Sequence, residues 1–258
     1  MTGQPKYGAI VKVDDGFYPV NDLYLSVQGE GFHTGTAAIF LRLQGCNVGC
    51  SFCDTKETWL PNGALASAGL AGLAETKGKN GRYSVLTPAE IVEACRALAQ
   101  PWQNPSKPMV VITGGEPALY PLAPLANALK SAGYYVCVET SGTALGIFAE
   151  DADDPFPGES SVPGTLVADW TTCSPKFGMQ AGLVVWDSVL AACEEIKLVV
   201  GKEADLERAH GLREQYPHKF IYLQPMSMLP KSTLLCIDAV KTGRFRLSAQ
   251  LHNYLNLP

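Results

Sequence analysis

Three of the chain's eight cysteines, Cys46, Cys50 and Cys53, fall within eight residues of one another, and the other five are scattered. They directly follow Ala37–Leu43, an apolar run that reads as a strand. The spacing is Cys-x3-Cys-x2-Cys on a loop that also carries Gly45, Asn47 and Gly49. Three thiolates on so tight a loop can reach three irons of one cubane cluster. The next cysteine, Cys95, lies inside a predicted helix, so the fourth iron is left without a protein ligand. An iron in that state is a coordination vacancy, open to a substrate or cofactor. The remaining cysteines, Cys95, Cys137, Cys173, Cys193 and Cys236, sit mostly in apolar segments and read as small core residues.

Around this loop, strand and helix patterns alternate. Strands are expected at Ala37–Leu43, Met109–Thr113, Tyr134–Glu139, Thr165–Asp169, Glu195–Val200, Phe220–Gln224 and Phe245–Ala249. The clearest helix begins at Thr87-Pro88-Ala89-Glu90: Thr87 caps, Pro88 suits the first turn, and Glu90 completes a capping box. Ile91, Ala94, Cys95 and Leu98 then share one face. Weaker helical patterns cover Pro121–Ala132, Ala204–Gln215 and Thr233–Lys241. Alternation of this kind implies an α/β fold with a mostly parallel sheet, open or wound into a full or partial barrel. A length of 258 residues suits one such domain. Residues 1–20 read as an N-terminal extension. The Gly/Ala-rich stretch near 61–83 and the acidic, Pro-containing stretch near 150–164 read as surface insertions.

Charge narrows the partners. The formal net charge is −5, with no run of Lys or Arg, which argues against a nucleic-acid-coating protein. No stretch approaches the apolar length of a membrane span, and the first residues lack the apolar centre of a signal peptide. The chain therefore reads as soluble and cytoplasmic, where a disulfide framework is disfavoured.

Further signals sit at strand ends, where barrel sites are built. Thr113-Gly114-Gly115-Glu116-Pro117 follows Met109–Ile112; its glycines let a ligand approach the backbone, and Glu116 can accept from an ammonium group. Glu139-Thr140-Ser141-Gly142, Ser174-Pro175-Lys176 and Gln224-Pro225-Met226-Ser227 end later strands. On Ala37–Leu43 the alternation puts Ile39, Leu41 and Leu43 on one face and Phe40 and Arg42 on the other. Arg42, at the strand's mouth, is suited to hold a carboxylate; a surface ion pair is the plainer alternative.

The cysteine loop, with Phe52 before its last cysteine, resembles the radical S-adenosylmethionine (SAM) superfamily, and the Gly-Gly-Glu turn resembles the motif that holds that cofactor's amine. The match becomes more specific with Val27–Gly31, Ile39–Cys46, Cys50–Lys56, Val110–Pro117, Glu139–Gly142, Ser174–Lys176 and 247–258. Together these resemble the 7-carboxy-7-deazaguanine synthase family. The resemblance implies a single core domain forming a partial (β/α) barrel. It also implies the conversion of 6-carboxytetrahydropterin to 7-carboxy-7-deazaguanine with loss of ammonia, on the route to queuosine, with SAM used catalytically.

By the same resemblance, a [4Fe–4S] cluster sits on Cys46, Cys50 and Cys53. SAM is surrounded by Phe52, Cys53, Asp54, Gly115, Glu116, Glu139, Ser141, Ser174, Pro175, Lys176, Gln224, Pro225, Met226 and Ser227. The pterin contacts Val27, Gln28, Gly29, Glu30, Arg42, Thr113 and the carboxylate of Pro258. Thr55 corresponds to a Mg²⁺ ligand, a hard oxygen donor suited to that ion. A flavodoxin- or ferredoxin-type electron donor and a homodimer are also implied, with neither nucleic acid nor membrane as a partner. Two alternatives stay open on the residues: a radical activase, which would share the cysteine spacing and the Gly-Gly-Glu turn, and a non-catalytic zinc or iron module.

Overall fold

The structure, a computed structural model, describes residues 10–59, 70–76, 81–104, 106–149, 164–179 and 181–257. Its centre is one nine-stranded sheet. The strands are β1 (Tyr18–Val27), β2 (Ala37–Leu43), β3 (Ser84–Leu86), β4 (Met109–Gly114), β5 (Val136–Thr140), β6 (Trp170–Cys173), β7 (Glu195–Val200), β8 (Phe220–Pro225) and β9 (Arg246–Leu247). Their spatial order is β3-β1-β2-β4-β5-β6-β7-β8-β9. From β2 onward every pairing is parallel, and β1 joins β2 and β3 antiparallel. The sheet is not closed, so the α/β, partial-barrel reading holds.

Side-chain alternation on the parallel strands builds two different layers. Ile39, Leu41, Val110, Ile112, Val136, Val138, Ile196, Leu198, Ile221 and Leu223 belong to the main core cluster, which the helices help to form. On the opposite face Ala38, Met109, Val111 and Cys137, with Phe40 and Trp170, form a small apolar plug. Further along that same face come the polar side chains that line the cavity described below.

The helices are α1 (Leu70–Thr76), α2 (Pro88–Leu98), α3 (Ala123–Ser131), α4 (Asp187–Ala192), α5 (Glu203–Gln215), α6 (Pro230–Val240) and α7 (Leu251–Leu255). The capping box at Thr87 and Glu90 is present, and α2 buries Ile91, Val92, Ala94 and Cys95. No helix of the described residues is long and apolar enough to cross a membrane.

Three strand expectations need correction. The strand expected at Thr165–Asp169 lies at Trp170–Cys173 instead. Residues 165–167 run beside 147–149 through the Ala149 N–H to Thr165 and the Val167 N–H to Ile147 bonds (2.8 and 2.9 Å). Asp169 is held at the strand's entry by the Val136 N–H (2.8 Å) and by Lys130 (3.0 Å). The strand itself carries two threonines, which weakened its apolar signal. Tyr134 and Tyr135 precede β5, because the Tyr134 N–H closes the end of α3 on the Leu129 carbonyl (3.1 Å). Finally, only Arg246 and Leu247 of the run 245–249 pair with β8.

Strand β1 went unread in the sequence because Asn21 and Asp22 interrupt its apolar pattern, at the point where its pairing register shifts. Residues 10–20 also contribute to the core: Val11, Tyr18 and Val20 are buried. Most of 61–83 and nearly all of 150–164 lie outside the described residues, as does Pro258.

Candidate active site

The carboxyl ends of the parallel strands open into one cavity of about 660 Å³. Strand register sets its walls: Arg42 on β2 lies beside Thr113 on β4, and Glu139 follows on β5. Arg42 donates to the Gly114 carbonyl (3.2 Å) and to the Tyr24 hydroxyl (3.4 Å). Burial opposes its charge, but Tyr24, Asp54 and Glu139 outweigh that and hold it firmly protonated. Glu139 accepts from Gln28 Nε2 (2.9 Å) and from the Thr113 hydroxyl (3.4 Å). Val27, Gln28, Gly29 and Glu30, expected as a substrate wall, therefore line the same cavity as Arg42 and Thr113.

The cysteine loop forms the facing wall. Gly45 N–H bonds the Thr58 carbonyl (2.9 Å), and the Tyr120 hydroxyl donates to the Gln44 carbonyl (2.7 Å). Gln44, fully buried, ties the loop to Asn21 (2.7 Å) and to the Glu57 carbonyl (3.0 Å). Cys46 and Cys50 are buried against Val48, with Phe52, Cys53, Trp59, Met179 and Leu183 packed around them. Trp59 donates its indole N–H to Cys53 Sγ (3.3 Å). Burial pushes the Cys46 thiol up to about 12 and the Cys50 thiol up to about 11. Loading a metal there must therefore displace protons.

The donor set fits an iron–sulfur cubane. Three soft thiols converge from one loop into an apolar nest, and the Gly-Gly-Glu turn packs directly against it. A Cβ on Gly115 would stand 2.1 Å from the Gly45 carbonyl oxygen and 2.8 Å from Cys46 Cβ.

Phe52, Cys53, Asp54, Thr55 and Gly115 line the cavity, as do Ser141, Ser174 and Lys176 from the ends of β5 and β6. Lys176 folds back onto the Ser174 carbonyl and hydroxyl (2.8 and 2.6 Å), and burial lowers its pKa. Gln224, Pro225 and Ser227 line the far side. Ser227 and the adjacent Met228 both adopt left-handed backbone (φ 48° and 52°), strain of the kind that clusters at binding sites.

Three of the expected residues, Glu116, Pro175 and Met226, are not among those lining the cavity. Glu116 is 1% exposed and is not among the cavity-lining residues. One carboxylate oxygen accepts from the Ala118 N–H (2.9 Å) and the Thr140 hydroxyl (2.7 Å). The other accepts from the Ser141 N–H (2.7 Å) and the Ser141 hydroxyl. With both oxygens engaged, Glu116 fastens the β4 turn to the end of β5. Met226 packs on Gly201, where a Cβ would meet its Cε at 2.7 Å, and neither Met226 nor Pro175 lines the cavity.

Other residues were missed. Lys197, on β7, lines the cavity and forms a buried ion pair with Glu30. Its signal was present in Glu195-Ile-Lys-Leu-Val-Val, where charged residues alternate with apolar ones. Gln250, His252 and Asn253 also line the cavity, and the Leu251 N–H bonds the Gly29 carbonyl (3.1 Å). The chain's C-terminal stretch is thereby docked on the Gln28–Gly31 loop.

The sequence pattern of the radical SAM superfamily matches residues 41–154. A 7-carboxy-7-deazaguanine synthase of Escherichia coli is 35% identical over 244 residues, covering 93% of this chain and 99% of that protein. One of Bacteroides thetaiotaomicron is 34% identical over 239 residues, covering 92% and 97%. The crystal structure of QueE from Escherichia coli superposes with a TM-score of 0.71 at 32% identity, covering 91% of this chain and 94% of that one.

Proposed function

The chain belongs to the 7-carboxy-7-deazaguanine synthases of the radical SAM superfamily, and on that premise we propose how its residues share the work. The reaction is the radical ring contraction of 6-carboxy-5,6,7,8-tetrahydropterin to 7-carboxy-7-deazaguanine, with release of ammonia, a lyase step in queuosine biosynthesis. When bound, the [4Fe–4S] cluster and SAM supply the one-electron chemistry that abstracts hydrogen from the pterin.

Cys46, Cys50 and Cys53 hold the cluster, and Val48, Phe52, Trp59 and Leu183 keep water from it. Phe52, Asp54, Gly115, Ser141, Ser174, Lys176, Gln224, Pro225 and Ser227, which border the cavity next to this loop, would hold SAM. Glu116 accepts from the Ser141 amide and hydroxyl and so holds Ser141 at the cavity's edge. The pterin takes the remaining wall. Arg42 holds its carboxylate, while Gln28, the backbone at Gly29, Glu30, Thr113 and Glu139 address its ring edge. Thr55, which lines the cavity, would hold Mg²⁺ through its hydroxyl, a hard oxygen donor. The electron comes from a flavodoxin- or ferredoxin-type donor, and the enzyme works as a cytoplasmic homodimer.

One observation carries this reading: the cysteine loop and the Arg42–Thr113–Glu139 wall border a single cavity of about 660 Å³, large enough for cofactor and substrate together. The test is anaerobic incubation of cluster-reconstituted protein with carboxytetrahydropterin, SAM, Mg²⁺ and reductant. Carboxydeazaguanine should form without stoichiometric loss of SAM, and Cys50→Ala should bind no cluster. Stoichiometric deoxyadenosine without carboxydeazaguanine would sink the proposal.

A further inference from the structure

Lys197 is a cation in a place where a strand residue is normally apolar. Its side chain is 7% exposed, and the Glu30 carboxylate paired with it is 12% exposed. Taking two charges out of water is costly unless they serve each other closely, so this pair needs a reason.

The surroundings supply one. Glu30 also meets Gln224 Nε2 (3.4 Å) from β8, and Gln250 and His252 from the C-terminal stretch. Lys197 faces two further carboxylates, Glu139 and Glu195, and one like charge, Lys176. Both Glu30 and Lys197 line the cavity. A pterin's pyrimidine edge presents adjacent N–H donors, and an ionised carboxylate is the strong acceptor for such a pair. Burial works to protonate Glu30 and so to spoil that acceptor; the ammonium of Lys197 overrides it.

We propose that Lys197 is a positioning residue: anchored on β7, it keeps Glu30 as a carboxylate aimed into the cavity, where it receives the pyrimidine N–H edge of the substrate. This rests on the pterin reading above, and it adds a residue that acts through Glu30. Without Lys197, Glu30 is a buried carboxyl that has lost its paired cation, and it takes up a proton. A carboxylic acid offers the pterin edge a poorer acceptor and a competing donor.

The experiment uses the full-length, cluster-loaded enzyme and measures equilibrium binding of the fluorescent probe pterin-6-carboxylate across pH. Wild type should bind with little dependence on Glu30 ionisation between about pH 6 and 9. Lys197→Met should bind at least about tenfold more weakly near neutrality and recover as pH rises. Lys197→Arg, which keeps the charge, should retain most of the affinity. His252 also faces Glu30, so the charge-keeping Lys197→Arg is the reference against which the pH profile of Lys197→Met is read. Glu30→Gln and Glu30→Gln/Lys197→Met should bind alike, because the lysine has no role once the carboxylate is gone. That second comparison stands even if Lys197→Met alone folds poorly.

Equal, pH-independent affinity for Lys197→Met and wild type would overturn the proposal. So would a double variant that loses affinity additively. Failure of the wild type itself to bind the probe, with cluster and SAM in place, would instead overturn the pterin reading.

Discussion

Replacing Gly115 with alanine should unseat the cluster while sparing the fold. The added Cβ would stand 2.1 Å from the Gly45 carbonyl oxygen, 2.7 Å from the Gly45 carbonyl carbon and 2.8 Å from Cys46 Cβ, where ordinary contact begins at 3.4 Å. The first two atoms are backbone and cannot rotate away, so the cysteine loop must retreat by more than an ångström. That retreat also breaks the bond from the Glu116 N–H to the Gly45 carbonyl (2.9 Å). Overpacking of this kind costs about 1–3 kcal/mol, and the lost hydrogen bond about 1 kcal/mol. Most domains survive such a loss. The chemistry does not, because an ångström of misplacement at a reacting centre costs about 10²-fold in rate. Iron and sulfide content after anaerobic reconstitution, together with kcat, provide the assay. Gly211→Ala is the control: its Cβ meets nothing within 4 Å, and it should leave both quantities unchanged. A Gly115→Ala enzyme with full iron content and kcat within about threefold of wild type would refute the steric argument.

Other outcomes follow from single groups. Thr87→Ala removes the half of the α2 capping box in which the Thr87 hydroxyl accepts from the Glu90 N–H, leaving the backbone N–H at 87 to donate to Glu90, and should lower stability by about 1 kcal/mol, read as a reduced urea midpoint with unchanged slope. Arg42→Lys keeps the charge but loses the fork, so KM for the pterin should rise about tenfold, with SAM affinity unaffected. Glu195 has a carboxyl pushed up to about 7 by burial, against which the Phe32 N–H (2.9 Å) works only partly, and its Oε1 has no hydrogen-bond partner. A raised folded-state pKa means the native protein binds more protons than the unfolded chain between about pH 4.5 and 7. Wild-type stability should therefore fall across that window and level off above it. Glu195→Gln should flatten this slope and gain stability at pH 8 relative to wild type; an equal change in unfolding free energy between pH 5 and pH 8 for the two proteins, read from denaturant titrations, would contradict the assignment.

What the sequence determined by itself was everything carried by short spacing and by period. Cys-x3-Cys-x2-Cys is a covalent fact about one loop, and the capping box at Thr87 spans a single helical turn. Ile39, Leu41 and Leu43 against Phe40 and Arg42 follow from strand alternation; the first three are fully buried, and Phe40 and Arg42 line the cavity. Strand-end motifs from five places in the chain could be read as one site because parallel strands gather their carboxyl ends on one side.

Only the tertiary structure decided where the charges go. The sequence offers Glu116 as a ligand for an ammonium group; that Thr140 and Ser141, at the end of β5, donate to its two oxygens is visible only in the fold. Glu30 and Lys197 are 167 residues apart, and nothing local signals their pairing. The antiparallel β1 and the docked C-terminal stretch belong to the same class: each exists because distant backbone groups are present to receive it. Spacing and periodicity are written within a few residues, whereas the partner of a buried charge is set by which distant segments the fold brings to the same place.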